Sequence, residues 1–279
     1  MSTKAPKISV VIPTWNRADW LPEAIRSAAG FHEVLVVDDG STDHTAERIR
    51  EFPNVQWHFA PHRGPAAARN LGIAHASGDF VWFLDSDDQF TKEAKVLAHR
   101  LIREHDLILI RSNARSREFN TRSWASLLEA AQEELPLQSG CFLVRRSLLQ
   151  DVGGFADTYT NAEDLDLALR LGDRPCLVVE SPSLFHTGSP PDQRTLDPQH
   201  TAAGMRWLLE REAKSAYPGD PNLRRELLAK ALRSTSRALV GQPEGWELYL
   251  LGLDLQRGAQ RWRYLAGYPA LFAARRILK

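Results

Sequence analysis

The chain has 279 residues, of which 43% are hydrophobic and 25% are charged, an ordinary composition for a globular protein. Its 35 lysines and arginines balance 35 acidic residues. This balance excludes a basic surface along the whole chain, so we expect no nucleic-acid partner. The two cysteines, Cys141 and Cys176, exclude a disulfide framework.

Strands and helices alternate over residues 7–110. Apolar runs predict strands at 8–12, 33–37, 55–59, 80–84 and 106–110. Helical spacing of apolar residues predicts helices near 18–29, 43–51, 65–76 and 92–104. This alternation predicts an α/β fold with a mostly parallel sheet that helices cover on both faces.

The pattern changes after residue 110. It predicts a helix near 123–134, an apolar segment at 141–144, a helix near 163–171, a strand at 176–180 and a loop that holds His186. Residues 188–200 are rich in proline and predict a linker or mobile loop. Beyond them, helical spacing predicts helices near 201–216, 222–240, 244–256 and 260–277.

Two clusters of aspartates follow predicted strands. Asp38 and Asp39 come directly after the strand at 33–37, and Asp85, Asp87 and Asp88 come after the strand at 80–84. In open α/β sheets, ligands bind at the edge formed by the carboxyl ends of the strands. Clustered carboxylates repel one another unless a cation or a ligand offsets their charge. Because hard divalent cations favour oxygen ligands, the clusters predict a Mn²⁺ or Mg²⁺ cofactor.

Four short motifs occur in order, and together they are far more specific than any one alone. They are Pro13-Thr14-x-Asn16-Arg17, Asp38-Asp39-Gly40-Ser41-Thr42-Asp43, Arg63-Gly64-x-x-x-Ala68-Arg69-Asn70 and Asp85-x-Asp87-Asp88. With them, the chain over roughly residues 7–190 resembles a family 2 glycosyltransferase of the GT-A fold. The resemblance implies a Rossmann-like, mixed, mostly parallel sheet flanked by helices, with a C-terminal helical extension.

The resemblance also divides the chain into three parts. Residues 1–110 would form the nucleotide-sugar-binding half of the catalytic domain, and residues 111–190 the half that binds the acceptor and supplies the catalytic base. Residues 191–279 would form a linker and a C-terminal helical region.

The C-terminal region ends in interleaved aromatic and basic residues over 262–279. Two interpretations of this composition stay open: peripheral contact with an anionic membrane, or packing on the catalytic domain or on a second subunit. The chain shows neither an apolar signal segment nor an apolar run of about 18 residues, so we expect a cytoplasmic protein. Under the first interpretation it would contact the inner face of the membrane.

The nucleotide site implied by the resemblance comprises Pro13, Thr14, Asn16, Arg17, Asp38, Asp39, Arg63, Arg69 and Asp87. Asp39 would contact the base, and Trp15 is placed to stack on it. Asp38 either shares that contact or caps the following helix. Arg63 and Arg69 suit a diphosphate at a helix N-terminus, although Arg69 could instead pair with an aspartate at a strand end.

The metal ligands implied by the resemblance are Asp85, Asp87, Asp88 and His186. Asp88 fits the metal best, whereas Asp87 fits either the metal or the ribose. Asp85 has a structural alternative, in which it holds its turn by accepting backbone N–H bonds. His186 either lies near the metal or diphosphate or is an ordinary loop residue.

The catalytic base implied by the resemblance lies in Glu163-Asp164. Inverting sugar transfer needs a carboxylate that deprotonates the acceptor hydroxyl during its attack on the anomeric carbon. Asp164 would be this base, and Glu163 would contact or position the acceptor. Acids in the first turn also complement the helix dipole, which is the alternative. Asp166 and Arg170 predict a surface or hinge ion pair.

The resemblance, together with these features, implies metal-assisted, inverting transfer from a nucleotide-diphosphate sugar, and the resemblance alone favours a UDP-sugar. The acceptor would be a hydroxyl of a saccharide or glycolipid, in bacterial surface polysaccharide or glycolipid synthesis. Two alternatives stay open. The segment 84–91 superficially resembles the nucleophile loop of haloacid-dehalogenase-type phosphoryl-transfer enzymes. The second alternative is a catalytically inactive binder of nucleotide sugars or carbohydrates.

Overall fold

The computed structural model describes residues 5–112, 120–133, 137, 139–159, 161–181, 185–187 and 197–255. The strands are β1 Ile8–Thr14, β2 Glu33–Asp38, β3 Gln56–Phe59, β4 Phe80–Phe83, β5 Asp88–Phe90, β6 Leu107–Ser112, β7 Asn120–Trp124, β8 Phe142–Arg145, β9 Cys176–Ser181 and β10 Phe185–Thr187. The helices are α1 Leu21–Ser27, α2 Thr45–Arg50, α3 Pro65–His75, α4 Lys92–Leu101, α5 Leu127–Ala130, α6 Arg146–Asp151, α7 Glu163–Arg170, α8 Pro198–Ala213, α9 Pro221–Ala238 and α10 Pro243–Leu255.

Eight strands form one sheet in the order β3-β2-β1-β4-β8-β6-β9-β7. The pairs β1–β2, β1–β4, β2–β3 and β6–β9 are parallel, whereas β8 and β7 run antiparallel to their neighbours. Because β8 lies antiparallel between β4 and β6, strands β1, β2, β4 and β6 all end at the same edge. The predicted mixed, mostly parallel sheet with flanking helices is confirmed.

The central strands sort their apolar side chains onto two faces, since successive residues of a strand point in opposite directions. Val10 and Trp82 join a buried core under α1 and α4, whereas Val11 and Phe83 join a core under α3, α6 and α7. Burying one such side chain stabilises the fold by about 1.5–3 kcal/mol. Helix α3 approaches β1 closely at Gly72, where a Cβ would lie 2.3 Å from Val11 Cγ1.

Two predictions for the part after residue 110 are wrong. Instead of a helix near 123–134, residues 120–124 form β7, and helix α5 is confined to Leu127–Ala130. The antiparallel pairing of β7 with β9 overrides the helical spacing of its side chains. The predicted loop at His186 is strand β10, which pairs with the unpredicted strand β5. Both strands have only 3 residues, which is too short for a periodic pattern to reveal.

The C-terminal helices α8, α9 and α10 share a buried core with α5 and α7. Leu128 and Leu169 pack in the same cluster as Leu208, Leu228 and Leu248. These three helices correspond to those predicted near 201–216, 222–240 and 244–256. The helix predicted near 260–277 lies outside the described residues, as does the predicted linker up to residue 196. In the part that the structure describes, no helix combines the length and apolar character that crossing a membrane requires.

Candidate functional site

An open cleft of about 240 Å³ lies at the edge of the sheet where β1, β2 and β4 end. This edge is the expected ligand-binding position in an α/β sheet. The residues that line it are Pro13, Thr14, Trp15, Arg17, Asp39, Pro65, Ala68, Arg69, Asp85, Ser86 and Asp87. The sequence analysis missed Pro65, Ala68 and Ser86, because small side chains of this kind carry no chemical signal.

Asp39 is buried and holds the loop that leads into α3. Its Oδ1 accepts a hydrogen bond from Arg63 N–H at 2.9 Å, and its Oδ2 accepts one from Gly64 N–H at 2.8 Å. His62 Nδ1 lies 3.0 Å from Oδ2, and the His62 ring stacks on Trp15 with 4.6 Å between centroids. Asp39 therefore anchors one wall of the cleft, where Trp15 presents an exposed aromatic ring.

Asp38 and Asn16 hold the loops that follow β2 and β1. Asp38 is buried, and its Oδ1 accepts a hydrogen bond from Ser41 N–H at 2.9 Å. This bond closes the turn after β2 and does not cap α2, which begins at Thr45, so the capping alternative is wrong. Asn16 has a φ of 52°, and its Oδ1 accepts a hydrogen bond from Thr42 N–H at 2.8 Å. The two loops are thus joined to each other, and Arg17 beside them lines the cleft.

The two arginines predicted near the diphosphate have different surroundings. Arg63 has a side chain that is 64% exposed, and its Nη2 lies 2.8 Å from Asp157 Oδ2 on the surface. Arg69 has a side chain that is only 7% exposed. Its Nη2 donates to Asp85 Oδ1 at 3.0 Å, and its Nη1 donates to Glu163 Oε1 at 3.5 Å. Arg69 therefore joins the segment after β4 to the first turn of α7.

The charge of Arg69 is secured by its neighbours. Burial lowers the pKa of this guanidinium, but the negative charges of Asp85, Asp164 and Glu163 outweigh burial and raise it. The guanidinium also lies 5.5 Å from the ring centroid of Phe155. A permanent cation thus stands between the segment after β4 and the first turn of α7.

Asn70, which follows Arg69, clamps the loop that carries Phe155. Asn70 Nδ2 donates to Phe155 O at 2.8 Å, and Asn70 Oδ1 accepts from Phe155 N–H at 2.7 Å. Gly154 has a φ of 69°, and a Cβ at this position would lie 2.3 Å from Asn70 Oδ1. Glycine therefore allows this loop to approach α3 before the chain continues to α7.

The three aspartates after β4 have different surroundings. The carboxylate of Asp85 bonds to Arg69, and the turn closes instead through Asp88 N–H and the Asp85 carbonyl oxygen at 2.9 Å. Asp87 lines the cleft, and both Asp87 and Asp88 are half-buried. The structural alternative for Asp85, in which it accepts backbone N–H bonds, is therefore wrong, because its carboxylate pairs with the buried cation of Arg69.

The backbone brings His186 next to this acidic segment. In the antiparallel pair of β5 and β10, His186 lies opposite Gln89 and Thr187 lies opposite Asp88. The predicted metal ligands Asp88 and His186 therefore occupy neighbouring positions on paired strands.

Asp87 and Asp88 fit a cation that is shared with a diphosphate. Across the described ranges, no group of three His, Cys, Asp or Glu side chains could enclose a metal ion by itself. A cation bound to a diphosphate needs only one or two carboxylates, because phosphate and water oxygens complete its coordination. Half-buried carboxylates beside an open cleft suit Mn²⁺ or Mg²⁺ of this kind. Asp85 suits it less, since Arg69 already offsets its charge.

The first turn of α7 carries three acids that differ in their surroundings. Glu163 is buried against Arg69, and Asp164 is half-buried. Asp166 is fully buried and accepts from Arg170 Nε at 2.7 Å, so the predicted ion pair exists but its predicted surface position is wrong. The negative charges of Glu163 and Asp164 both raise the pKa of Arg69, which lines the cleft. The structure therefore brings the predicted base region to the cleft.

Comparison with known proteins agrees with this arrangement. The sequence model described as glycosyl transferase family 2 matches residues 9–159. The pre-mycofactocin glycosyltransferase of Mycobacterium tuberculosis is 32% identical over 184 residues, which cover 59% of this chain and 38% of the relative. The chain spans less than half the length of this and the other leading curated relatives.

Two solved structures share the fold. The structure of S. aureus TarS 1–349 in complex with UDP-GlcNAc has a TM-score of 0.69 and 23% identity, covering 89% of this chain and 80% of that one. The structure of a mannosyltransferase from Pyrobaculum calidifontis in complex with GDP-Man and Mn²⁺ has a TM-score of 0.58 and 20% identity, covering 96% of this chain and 81% of that one.

Proposed function

Because this chain belongs to glycosyl transferase family 2 and has the GT-A fold, we propose that it transfers a sugar from a nucleotide-diphosphate donor to a hydroxyl acceptor. The observation that carries the proposal is the position of Arg69. This buried cation joins Asp85, on the donor side of the cleft, to Glu163, beside the proposed base Asp164. Donor and base motifs that are far apart in sequence thus serve one cleft.

The lining of the cleft supports a nucleoside diphosphate as its ligand. Trp15 offers an aromatic ring for the base, and Asp39 stands at the end of β2 beside it. Arg17 and the amino-terminal end of α3 provide positive charge that suits a diphosphate. We propose a UDP-sugar as donor. Because the two solved structures hold UDP-GlcNAc and GDP-Man, both nucleotides belong in the test.

The proposed reaction is a single displacement. Asp164 takes the proton of the acceptor hydroxyl while the hydroxyl oxygen forms a bond to the anomeric carbon. The bond between that carbon and the diphosphate oxygen breaks, so the configuration inverts. Glu163, which Arg69 holds in place, orients the acceptor. A Mn²⁺ or Mg²⁺ ion bound at Asp87 and Asp88 would offset the charge of the departing diphosphate.

We propose a saccharide or glycolipid acceptor in bacterial surface polysaccharide or glycolipid synthesis, which the breadth of the family supports. Peripheral membrane contact through residues 260–279 belongs to the same proposal. Phosphoryl transfer is the weaker alternative. The carboxylate of Asp85, which a nucleophile loop would use, is paired with Arg69.

The substitution Asp164→Asn tests the proposed base. It removes the proton acceptor but keeps the shape, so we expect transfer to fall roughly 10²-fold or more while donor affinity stays unchanged. Release of nucleoside diphosphate from UDP-sugars measures the rate, and NMR of the anomeric proton reports the inversion. Asp151→Asn, which alters an exposed carboxylate at the end of α6, is the matched control and should leave the rate unchanged. Near-normal transfer by Asp164→Asn would move the base elsewhere, with Glu163 examined next.

A further inference from the structure

The carboxylate of Asp166 lies on the side of α7 opposite to Asp164. The two residues are two positions apart, which at about 100° per residue separates their side chains by about 200° around the helix. Asp166 is completely buried, and its Oδ2 accepts from Arg170 of the same helix. Its Oδ1 accepts from the Tyr217 hydroxyl at 2.8 Å and lies 3.2 Å from Arg211 Nε.

Tyr217 and Arg211 belong to the C-terminal region. Arg211 lies in the last turn of α8, and Tyr217 follows that helix. Burial, and then the negative charge of Asp166, raise the pKa of Tyr217, so its hydroxyl remains a hydrogen-bond donor. Arg211 Nε lies 3.2 Å from the same hydroxyl. Both residues lie beyond residue 159, where the family match ends.

We propose that Tyr217 and Arg211 are positioning residues, which hold the first turn of α7 through Asp166 and thereby place Asp164 at the cleft. The C-terminal helical region is then a working part of the active site and not only an appendage. This inference rests on the proposed function, because it assigns the base to Asp164.

The contacts of α7 explain why this attachment matters. Glu163 bonds to Arg69, and Asp166 bonds to Tyr217 and Arg211. Glu163 and Asp166 are three positions apart, so they lie only about 60° apart around the helix, whereas Asp164 lies on another side. These two neighbouring attachments resist rotation of the helix about its axis. Such a rotation would displace the half-buried carboxylate of Asp164, and a shift of about 1 Å at a reacting group costs up to 10²-fold in rate.

The test compares two tyrosines that differ in their contacts. Tyr217→Phe removes the hydroxyl that donates to Asp166. Tyr249→Phe is the matched control, because Tyr249 is a buried tyrosine of α10 that packs with Ala229 and Trp246. Turnover of UDP-GlcNAc, followed by UDP release, gives kcat and KM. Hydrogen exchange of the α7 amides, measured on the same proteins without substrate, reports how readily helix α7 opens.

We expect Tyr217→Phe to lower kcat on the order of 10-fold with little change in the KM for UDP-GlcNAc. The α7 amides should exchange faster than in the wild type, and Tyr249→Phe should change neither quantity. Asp166→Asn should act in the same direction and more strongly. Unchanged exchange in Tyr217→Phe, faster exchange without loss of kcat, or equal effects of both phenylalanine variants would overturn the proposal.

Failure of the proposed function gives a different result. In that case Asp164→Asn keeps near-normal turnover, or the wild type releases no UDP, while the hydrogen exchange still shows whether Tyr217 holds α7. Loss of the exchange difference alone, with Asp164→Asn inactive, removes only the positioning role.

Discussion

At the scale of single residues, Arg69 joins the segment after β4 to the first turn of α7. The sequence motif left two roles open for it, binding of the diphosphate or pairing with an aspartate at a strand end. The structure shows pairing with Asp85 and with Glu163 in the interior. No local pattern could indicate Glu163 as the partner, because 94 residues separate the two along the chain.

Replacing Arg69 tests how much its ion pairs contribute to the stability of the fold. Arg69→Met would leave the buried carboxylate of Glu163 without its cation, and breaking a buried ion pair typically costs about 3–5 kcal/mol. Arg63→Met is the control from the same motif, since the Arg63 side chain is exposed and pairs with Asp157 on the surface, so its loss should cost about 0–1 kcal/mol. Urea unfolding gives both free energies. Equal losses in the two variants would show that the Arg69 contacts contribute no special stability.

At the scale of elements, the sequence predicted those strands and helices that are long enough to show a periodic pattern of apolar residues. The strands that became β1, β2 and β4 end in polar residues, and parallel pairing brings those ends to one edge, so Asp39 and Asp85 could be placed in one site from the sequence. The pair β5–β10 could not be predicted, because strands of 3 residues show no alternation. Strand β7 could not be predicted either, since its partner β9 lies more than 50 residues away.

Two adjacent glycines allow a test of the loop between α6 and α7. Both Gly153 and Gly154 have positive φ, at 77° and 69°, so alanine should cost about 1–2 kcal/mol at either position. At Gly154 the new Cβ would also collide with Asn70 Oδ1, which adds about 1–3 kcal/mol. At Gly153, apart from the two adjacent residues of the chain, no atom of the described residues lies within 4 Å of such a Cβ.

Urea unfolding of Gly154→Ala and Gly153→Ala therefore isolates the steric contribution of Asn70. We expect Gly154→Ala to be clearly the less stable of the two. When both glycine variants also carry Asn70→Ala, the difference between their unfolding free energies should become smaller. Identical stabilities of the two single variants would mean that the Asn70 clamp is not as close as the structure shows.

At the scale of the whole molecule, the C-terminal helices are part of the same packed unit as the sheet. Leu128 and Leu169 share their buried cluster with Leu208 and Leu228. The sequence indicated these helices through their spacing, but it could not show that they meet α7. Buried contacts such as Tyr217 with Asp166 depend on tertiary packing between elements, and their residue types alone are also common on surfaces.

Membrane contact stays a prediction at this scale, since residues 260–279 lie outside the described residues. If their aromatic and basic side chains anchor the protein, the intact chain should co-sediment with anionic liposomes, and added salt should weaken this by screening charge. Removing residues 260–279 should reduce it, and uncharged phosphatidylcholine liposomes serve as the control. An intact chain that ignores anionic liposomes at low salt would rule out the anchor.

Calorimetric titration with UDP and GDP tests whether the cleft is a metal-dependent site for a nucleotide-sugar donor. We predict that UDP binds the wild-type protein in the presence of Mn²⁺ and that chelating the metal weakens binding about tenfold or more. Asp88→Asn should show the same weakening while keeping the unfolding free energy of the wild type, and GDP should bind less tightly than UDP. If neither UDP nor GDP binds with Mn²⁺ present, the cleft at the end of β1, β2 and β4 is not a nucleotide-sugar site and the account is contradicted.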